Sequence, residues 1–267
     1  MQTRPSRPGS GIAEGDLLSS LGAREEDTQR VACEHAERCG GCPVIALPYG
    51  EQLGLKRGRV VQSLARYPSL ELVYTEPVQA AEPITHYRTR AKLIVAPGGR
   101  VGLYAKGGGH QVVDIPNCQV LSPALAAVAT LLRASIVRDE ANAGPLAPFD
   151  PSGGGLLRAV DLREVRPAEA AEARVLVTLV VQRDRVSDQA AIAAAACAIA
   201  AQEPRIVGVA INLHDGDSPQ ILGGETVVVY GVAAAPDRIG LATHEATYGS
   251  FVQAHRGQAE RVHATVA

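Results

Sequence analysis

Three cysteines within ten residues, Cys33, Cys39 and Cys42, carry the strongest chemical signal in the chain. Their C-x5-C-x2-C spacing, with Gly40 and Gly41 between the last pair and Pro43 behind, lets a short loop turn three thiolates toward one point. A tetrahedral centre needs a fourth ligand. Cys118, in the turn-like run Asp114-Ile-Pro-Asn-Cys118, is the other cysteine in a polar setting. Four thiolates hold either an iron–sulfur cluster or a structural zinc ion. Zinc ribbons usually supply two C-x2-C knuckles, whereas the fourth cysteine here stands alone, which tilts the reading toward a [4Fe-4S] cluster while leaving zinc open. His35 could replace a cysteine, but a loop histidine beside two glutamates is expected to be solvated. Cys197, inside an alanine-rich run, reads as a small buried hydrophobe.

The remaining composition bounds the setting of this site. The chain has 267 residues, 46% of them hydrophobic and 20% charged, as in a soluble globular protein of one large or two modest domains. It contains no run of about 18 apolar residues and so no membrane span, and the arginines near its start precede no apolar segment of a secretory signal. The cytoplasm is the expected compartment, where clustered cysteines more often bind metal than form disulfides. The formal net charge is −2, yet Lys56–His110 holds nine basic residues against Glu71, Glu76 and Glu82, a local +6. Such a face can follow a phosphate backbone; a solvated helix face with ordinary strand-surface charges explains it equally well.

Several elements must position these residues. Residues 1–30 read as a flexible tail with one short helix around Asp16–Leu21. Leu53, Val60, Val61 and Leu64 recur at helical spacing, with basic residues between them. Strand character follows at Leu72–Thr75 and Tyr87–Val95, then a turn at Pro97–Gly99, a hairpin arm at Arg100–Ala105, and Gln111–Ile115 leading to Cys118. Ser122–Arg138 and Asp188–Ala201 read as helices with good starting residues. Leu156–Val165, Arg174–Val181, Ile206–Leu213, Thr226–Tyr230 and Ile239–Ala242 read as strands, and a last helix begins near Ala254. Hairpins and helices alternate without regular βαβ spacing. The expected fold class is therefore α+β, with mixed, largely antiparallel sheets, helices and an iron–sulfur loop.

One resemblance covers residues 33 to 253. Cys33-x-His-Ala-x-x-Cys39-Gly-Gly-Cys42, followed by Tyr49-Gly-Glu-Gln52-Leu53-x-x-Lys56, resembles the [4Fe-4S] branch of the uracil-C5 RNA methyltransferases. The likeness continues in Tyr87-Arg88-x-Arg90, Val101-Gly-Leu-Tyr104, Val112-Val-Asp-Ile115-x-x-Cys118, Gly155-Leu-Leu-Arg158 and Gly249-Ser-Phe251-Val-Gln253. It implies methylation of uridine C5 in RNA, most readily 23S rRNA, with S-adenosylmethionine as donor. It also implies that Cys33, Cys39, Cys42 and Cys118 hold the cluster, that Gln253 contacts the donor, and that Phe251, Lys56, Arg88 and Arg90 face RNA. In that family a cysteine adds to C6 of a flipped-out uracil, C5 takes the methyl group, and a base removes the C5 proton.

The chain also departs from the pattern. Only about thirty residues precede Cys33, too few for the family's small N-terminal barrel, and Ile45 stands where the family often has glutamine. None of the glycine clusters opens a helix, and no cysteine remains as a nucleophile. These observations give the expectation that the Rossmann-like methyltransferase domain is absent and that no catalytic residue lies in the chain. The expected organisation is a tail (1–30), a cysteine loop with a basic helix (31–68), a central RNA-handling domain (69–253), and the start of a linker helix (254–267) to a truncated or separately encoded methyltransferase domain. The expected partner is RNA, with no membrane, and the protein is expected to be a monomer. A stand-alone RNA-binding module with a structural four-cysteine centre is the alternative. An electron-transfer protein is a weaker one, since a carrier has no use for so large an α+β domain.

Overall fold

The computed structural model describes residues 28–168, 172–216 and 218–266; the expected helix at Asp16–Leu21 lies outside them. The chain forms two compact units: Val44–Ala80 with the residues before Ala32, and Ala32–Pro43 with Ala81–Ala267. The cysteine loop thus belongs to the same unit as the sheet.

In the smaller unit, helix α1 (Tyr49–Leu64) follows Pro48 and buries Tyr49 and Gln52. Gly54 and Gly58 face open space, so neither is held in the helix by a close contact. Arg57 donates to the Thr75 carbonyl at 3.0 and 2.8 Å, tying the following segment to the helix. The strand expected at Leu72–Thr75 does not form: Leu72 is 97% exposed and no partner strand pairs with it. Alternating side chains make a strand only when one face has something to cover.

The larger unit contains β1 (Arg90–Ala96), β2 (Arg100–Tyr104), β3 (Val112–Asp114), α2 (Pro123–Asn142), β4 (Leu157–Val165), β5 (Arg174–Gln182), α3 (Gln189–Gln202), β6 (Ile206–His214), β7 (Glu225–Gly231), β8 (Ala234–Ile239), β9 (Ala242–Thr247) and α4 (Arg256–Val266). Both sheet-covering helices start on a side-chain cap. Ser122 Oγ accepts from the Leu125 N–H at 3.3 Å and Asp188 from the Ala191 N–H at 3.0 Å, each meeting an amide that the first turn leaves open.

The expected mixed, largely antiparallel sheet character is what the strands form. Seven strands form one mixed sheet in the order β3-β2-β1-β4-β5-β6-β7, and β8-β9 is a separate hairpin. The β5–β6 pair is parallel and α3 makes the crossover between them; every other neighbouring pair is antiparallel. Local sequence patterns locate strands, but pairing is decided by residues far apart in the chain, such as Leu93 opposite Val160. The expected strand at Ile239–Ala242 straddles the tight turn between β8 and β9.

Leu125, Val128, Leu132 and Ile136 of α2 and Ile192, Ala196 and Ile199 of α3 share one apolar cluster with Leu93, Val160, Leu162, Val177 and Ile211 of the sheet. Val165 and Leu176 instead cluster with Ala235 and Ala246 of the hairpin. Strand β4 is thus covered on both faces, and its alternate residues Asp161 and Arg163 share the hairpin face with Val165. Among the described residues no helix is long and apolar enough to cross a membrane.

Candidate functional site

The cysteine loop is held to the edge of β2 by main-chain bonds. The Gly40 N–H donates to Tyr104 O at 2.9 Å, the Lys106 N–H donates to Arg38 O at 2.8 Å, and Cys39 forms an isolated bridge with Ala105. Close approach requires the two glycines. A Cβ on Gly40 would stand 2.8 Å from Tyr104 O, and one on Gly41 would stand 2.5 Å from Leu103 Cδ1. The Gly41 N–H lies 3.4 Å from Cys39 Sγ, the arrangement that stabilises negative sulfur. Asn117 ties the loop carrying Cys118 to the first loop by donating to Glu34 at 2.8 Å.

Cys33, Cys39, Cys42 and Cys118 are all half-buried free thiols. Burial pushes the Cys42 thiol upward; Arg88 opposes that, and Cys118, Cys39 and Cys33 each add to the rise. Cys42 therefore sits within electrostatic reach of the other three sulfurs. Among the described residues no group of three or more histidine, cysteine, aspartate or glutamate side chains is gathered closely enough to hold a metal ion. His35 is not the solvated residue expected from its neighbours: it is 6% exposed, with Nε2 3.4 Å from Glu34. Cys197 is exposed, which corrects its reading as buried. Its neighbour Ala196 faces the core, and one residue further turns about 100° around a helix.

Residues His86–Thr89 join the cysteine site to a second feature. On one side, the His86 and Arg88 N–H groups donate to Gln119 O and Val120 O at 2.9 and 2.7 Å, immediately after Cys118. On the other, the Thr89 N–H and Oγ1 donate to Ala254 O at 2.8 and 3.1 Å. The Tyr87 ring stacks on His255 with centroids 4.7 Å apart. Burial, the largest cause, and the neighbouring Cys42 raise the Tyr87 phenol's pKa.

That second feature is the segment 249–254. Gly249, at φ +82°, turns the chain in the left-handed region that glycine enters freely. Ser250 follows as a hub. Its hydroxyl donates to Thr247 O at 2.9 Å, and its carbonyl accepts from both Arg90 and Arg163. Between this anchor and the one at Ala254, Phe251 is 80% exposed and Gln253 is exposed. Among the described residues no hydrogen bond engages either side chain. Phe251 is thus presented to solvent, not packed in the core.

Of the charged groups beneath this segment, Arg90 was singled out in the sequence, whereas Asp161 and Arg163 were missed because they sit on the apolar strand β4. Arg90 pairs with Asp161 at 2.7 Å. Arg163 lies 3.6 Å from Asp237, whose other oxygen accepts from Arg256 at 2.8 Å. Burial lowers the Arg163 pKa, Asp237 opposes that, and Arg90 adds to the depression. Charged letters inside a strand pattern, as at Asp161 and Arg163, are the signal that could have found them. Arg88 stands beside Tyr87 and Cys42, whereas the Arg90 guanidinium is occupied internally. Lys56 is exposed on α1 in the smaller unit.

The chain matches no protein-family model. It is 27% identical over 239 residues to an uncharacterized RNA methyltransferase of Geobacter sulfurreducens, covering 88% of this chain and 46% of that protein. It is 30% identical over 207 residues to another from a Nostoc species, covering 76% and 42%. A match of 34% over 153 residues, 54% of this chain and 32% of the relative, is to the 23S rRNA (uracil(1939)-C(5))-methyltransferase RlmD of Pseudomonas fluorescens. The solved tRNA (uracil-54, C5)-methyltransferase of Pyrococcus abyssi, in complex with S-adenosyl-L-homocysteine, shares the fold over 89% of this chain and 50% of that chain, with a TM-score of 0.60 at 21% identity.

The chain spans about half the length of the curated relatives it matches. The superposition overturns the expectation that the methyltransferase fold is absent, because nearly nine-tenths of the chain falls on a methyltransferase. A glycine-rich turn opening a helix is one local mark of such enzymes, and a sheet assembled from distant pairings carries no such mark. By sequence and by fold, the relatives of this chain are RNA methyltransferases.

Proposed function

We propose that the chain handles RNA within an S-adenosylmethionine-dependent uracil-C5 methyltransferase, with 23S rRNA as substrate, and that its four cysteines carry a [4Fe-4S] cluster. The observation that carries the reading is the segment Gly249–Ala254, which is anchored at both ends and presents an exposed Phe251 and an unengaged Gln253. A rigidly held exposed aromatic suits single-stranded RNA, whose unstacked bases lie on aromatic faces. Phe251 would hold a base beside the target and so favour the unstacked state. The Gln253 amide, free to donate and to accept, would bind the methyl donor, which supplies the transferred carbon when bound.

The fit of a cluster to the cysteines rests on the chain's own geometry. Gly40 and Gly41 let the loop lie against β2 where a Cβ would clash, an amide faces Cys39 Sγ, and Cys42 is within electrostatic reach of the other three thiols. One zinc ion needs all its sulfur ligands at about 2.3 Å from one point. A four-iron cluster takes one cysteine per iron and so holds its four ligands further apart. Bound through Cys33, Cys39, Cys42 and Cys118, it would cross-link the first loop to the connection before α2. Arg88, next to Cys42 and on the segment leading to Ala254, would face RNA at the junction of the two features. On the smaller unit, taken by itself, the exposed Lys56 is a candidate phosphate contact.

Anaerobic purification followed by iron and sulfide analysis tests the cluster; about four of each per chain is the expected result, and stoichiometric zinc would contradict it. Release of tritium from 5-tritiated uridine in 23S rRNA, in the presence of S-adenosylmethionine, tests the activity. RNA binding with no tritium release would instead favour an RNA-binding module without catalysis.

A further inference from the structure

Strand β4 places Asp161 and Arg163 at positions 3% and 6% exposed, on a strand otherwise built for a core. Buried ion pairs are weak sources of stability, and apolar residues of similar size often replace them without loss. Their placement is better explained by what they hold. Arg163 donates to Ser250 O at 3.2 Å and also to Ser250 Oγ, and Arg90 of β1 donates to the same carbonyl. Each guanidinium is fixed in turn, Arg90 by a two-bonded contact to Asp161 at 3.2 and 2.7 Å and Arg163 by Asp237. Arg256, which locks Asp237, also donates to Arg238 O at 2.7 Å, so the network extends into the β8–β9 hairpin.

We propose that Arg163, together with Arg90, is a positioning residue for RNA recognition: by clamping the Ser250 carbonyl onto the sheet, the pair fixes the direction in which Phe251 leaves the protein. The proposal rests on the reading of Phe251 as an RNA-stacking side chain. Two planar donors converging on one carbonyl leave that peptide little freedom to swing. Phe251, 80% exposed, follows at once in sequence. The far anchor, Thr89 on Ala254, lies four residues on, so Phe251 is held at the near end of a short span. Arg90, expected from sequence to touch RNA, acts in this account through Ser250.

The test uses the full chain and a short single-stranded RNA carrying 2-aminopurine, whose fluorescence is quenched on stacking. Phe251→Ala is expected to weaken binding by roughly 5- to 150-fold, the range for loss of one base–aromatic stack. Arg163→Met is expected to reproduce about half or more of that loss on a logarithmic scale, and to abolish the change in fluorescence. The double variant should bind no worse than Phe251→Ala alone, because both changes remove one interaction. Ser250→Ala, which removes no charge, should shift the fluorescence in the same direction by less, and decides the matter if Arg163→Met does not fold. Arg133→Gln breaks an ion pair to Asp114 of 2.8 Å elsewhere in the sheet and should lower thermal stability without moving the fluorescence. Full quenching and affinity in both Arg163→Met and Ser250→Ala, or fully additive losses in the double variant, would overturn the positioning role. An unaffected Phe251→Ala would instead overturn the reading of Phe251 itself.

Discussion

Asp237→Ala is the sharpest structural perturbation that the site allows. Asp237 is 0% exposed, and one of its oxygens accepts from Arg256 at 2.8 Å and from the Arg166 N–H at 3.1 Å, while the other lies 3.6 Å from Arg163. Alanine leaves two largely buried guanidiniums facing each other's field and one main-chain donor without its acceptor. Breaking a buried pair by removing one partner costs about 3–5 kcal/mol, most of it the uncompensated charge. For a chain of this size a change of 1 kcal/mol moves Tm by about 2–4 °C, so Tm should fall by roughly 6–20 °C. Thermal unfolding followed by circular dichroism measures it, with Asp215→Ala as control. Asp215 pairs with Arg183 at 63% side-chain exposure and should leave Tm unmoved. A fall of under about 3 °C in Asp237→Ala would refute the view that this network is shielded from water.

Phe251→Ala, 80% exposed, should change unfolding free energy by less than about 0.5 kcal/mol while weakening RNA binding, a separation that urea titration and anisotropy together detect. Gly40→Ala forces a Cβ to 2.8 Å from a main-chain oxygen and should lower iron per chain, whereas Cys197→Ser on the exposed face of α3 should leave iron content unchanged. Ser122→Ala removes the cap of α2 and should cost about 1 kcal/mol in chemical unfolding. Tyr248 donates to Val232 O at 2.7 Å, and burial pushes its phenol up to about 12. Because the neutral form is favoured in the fold, this contribution to stability is complete below the ordinary phenol value near 10 and is lost as pH rises from there toward about 12. Ultraviolet titration should show tyrosines ionising late, with one fewer in Tyr248→Phe.

What was legible in the sequence was what neighbouring residues decide. Ser122-Pro123 and Asp188 announce the starts of α2 and α3 because the cap and the first turn are local. The cysteine spacing, with its two glycines, announced a tight loop for the same reason. The order of the seven strands was not legible, since it depends on pairings such as Arg90 with Arg163 across more than seventy residues. The burial of Cys197 was misjudged because an alanine-rich helix has little difference between its faces to read. Leu72 and Tyr74 suggested a strand, but only a partner could have made one. Arg90 looked like an RNA ligand because nothing in its own neighbourhood reveals Asp161, which meets it from β4. The Gly249–Gln253 motif was picked out by resemblance, while the charged network beneath it exists only in three dimensions.

Photo-crosslinking tests the central claim most directly. A single-stranded fragment of 23S rRNA substituted with 4-thiouridine, irradiated with the chain and mapped by mass spectrometry, should attach at Phe251 and its neighbours through Gln253, and the Phe251→Ala variant should lose that crosslink. Attachment confined to the exposed face of α3 around Cys197, with none between Gly249 and Ala254, would contradict the account.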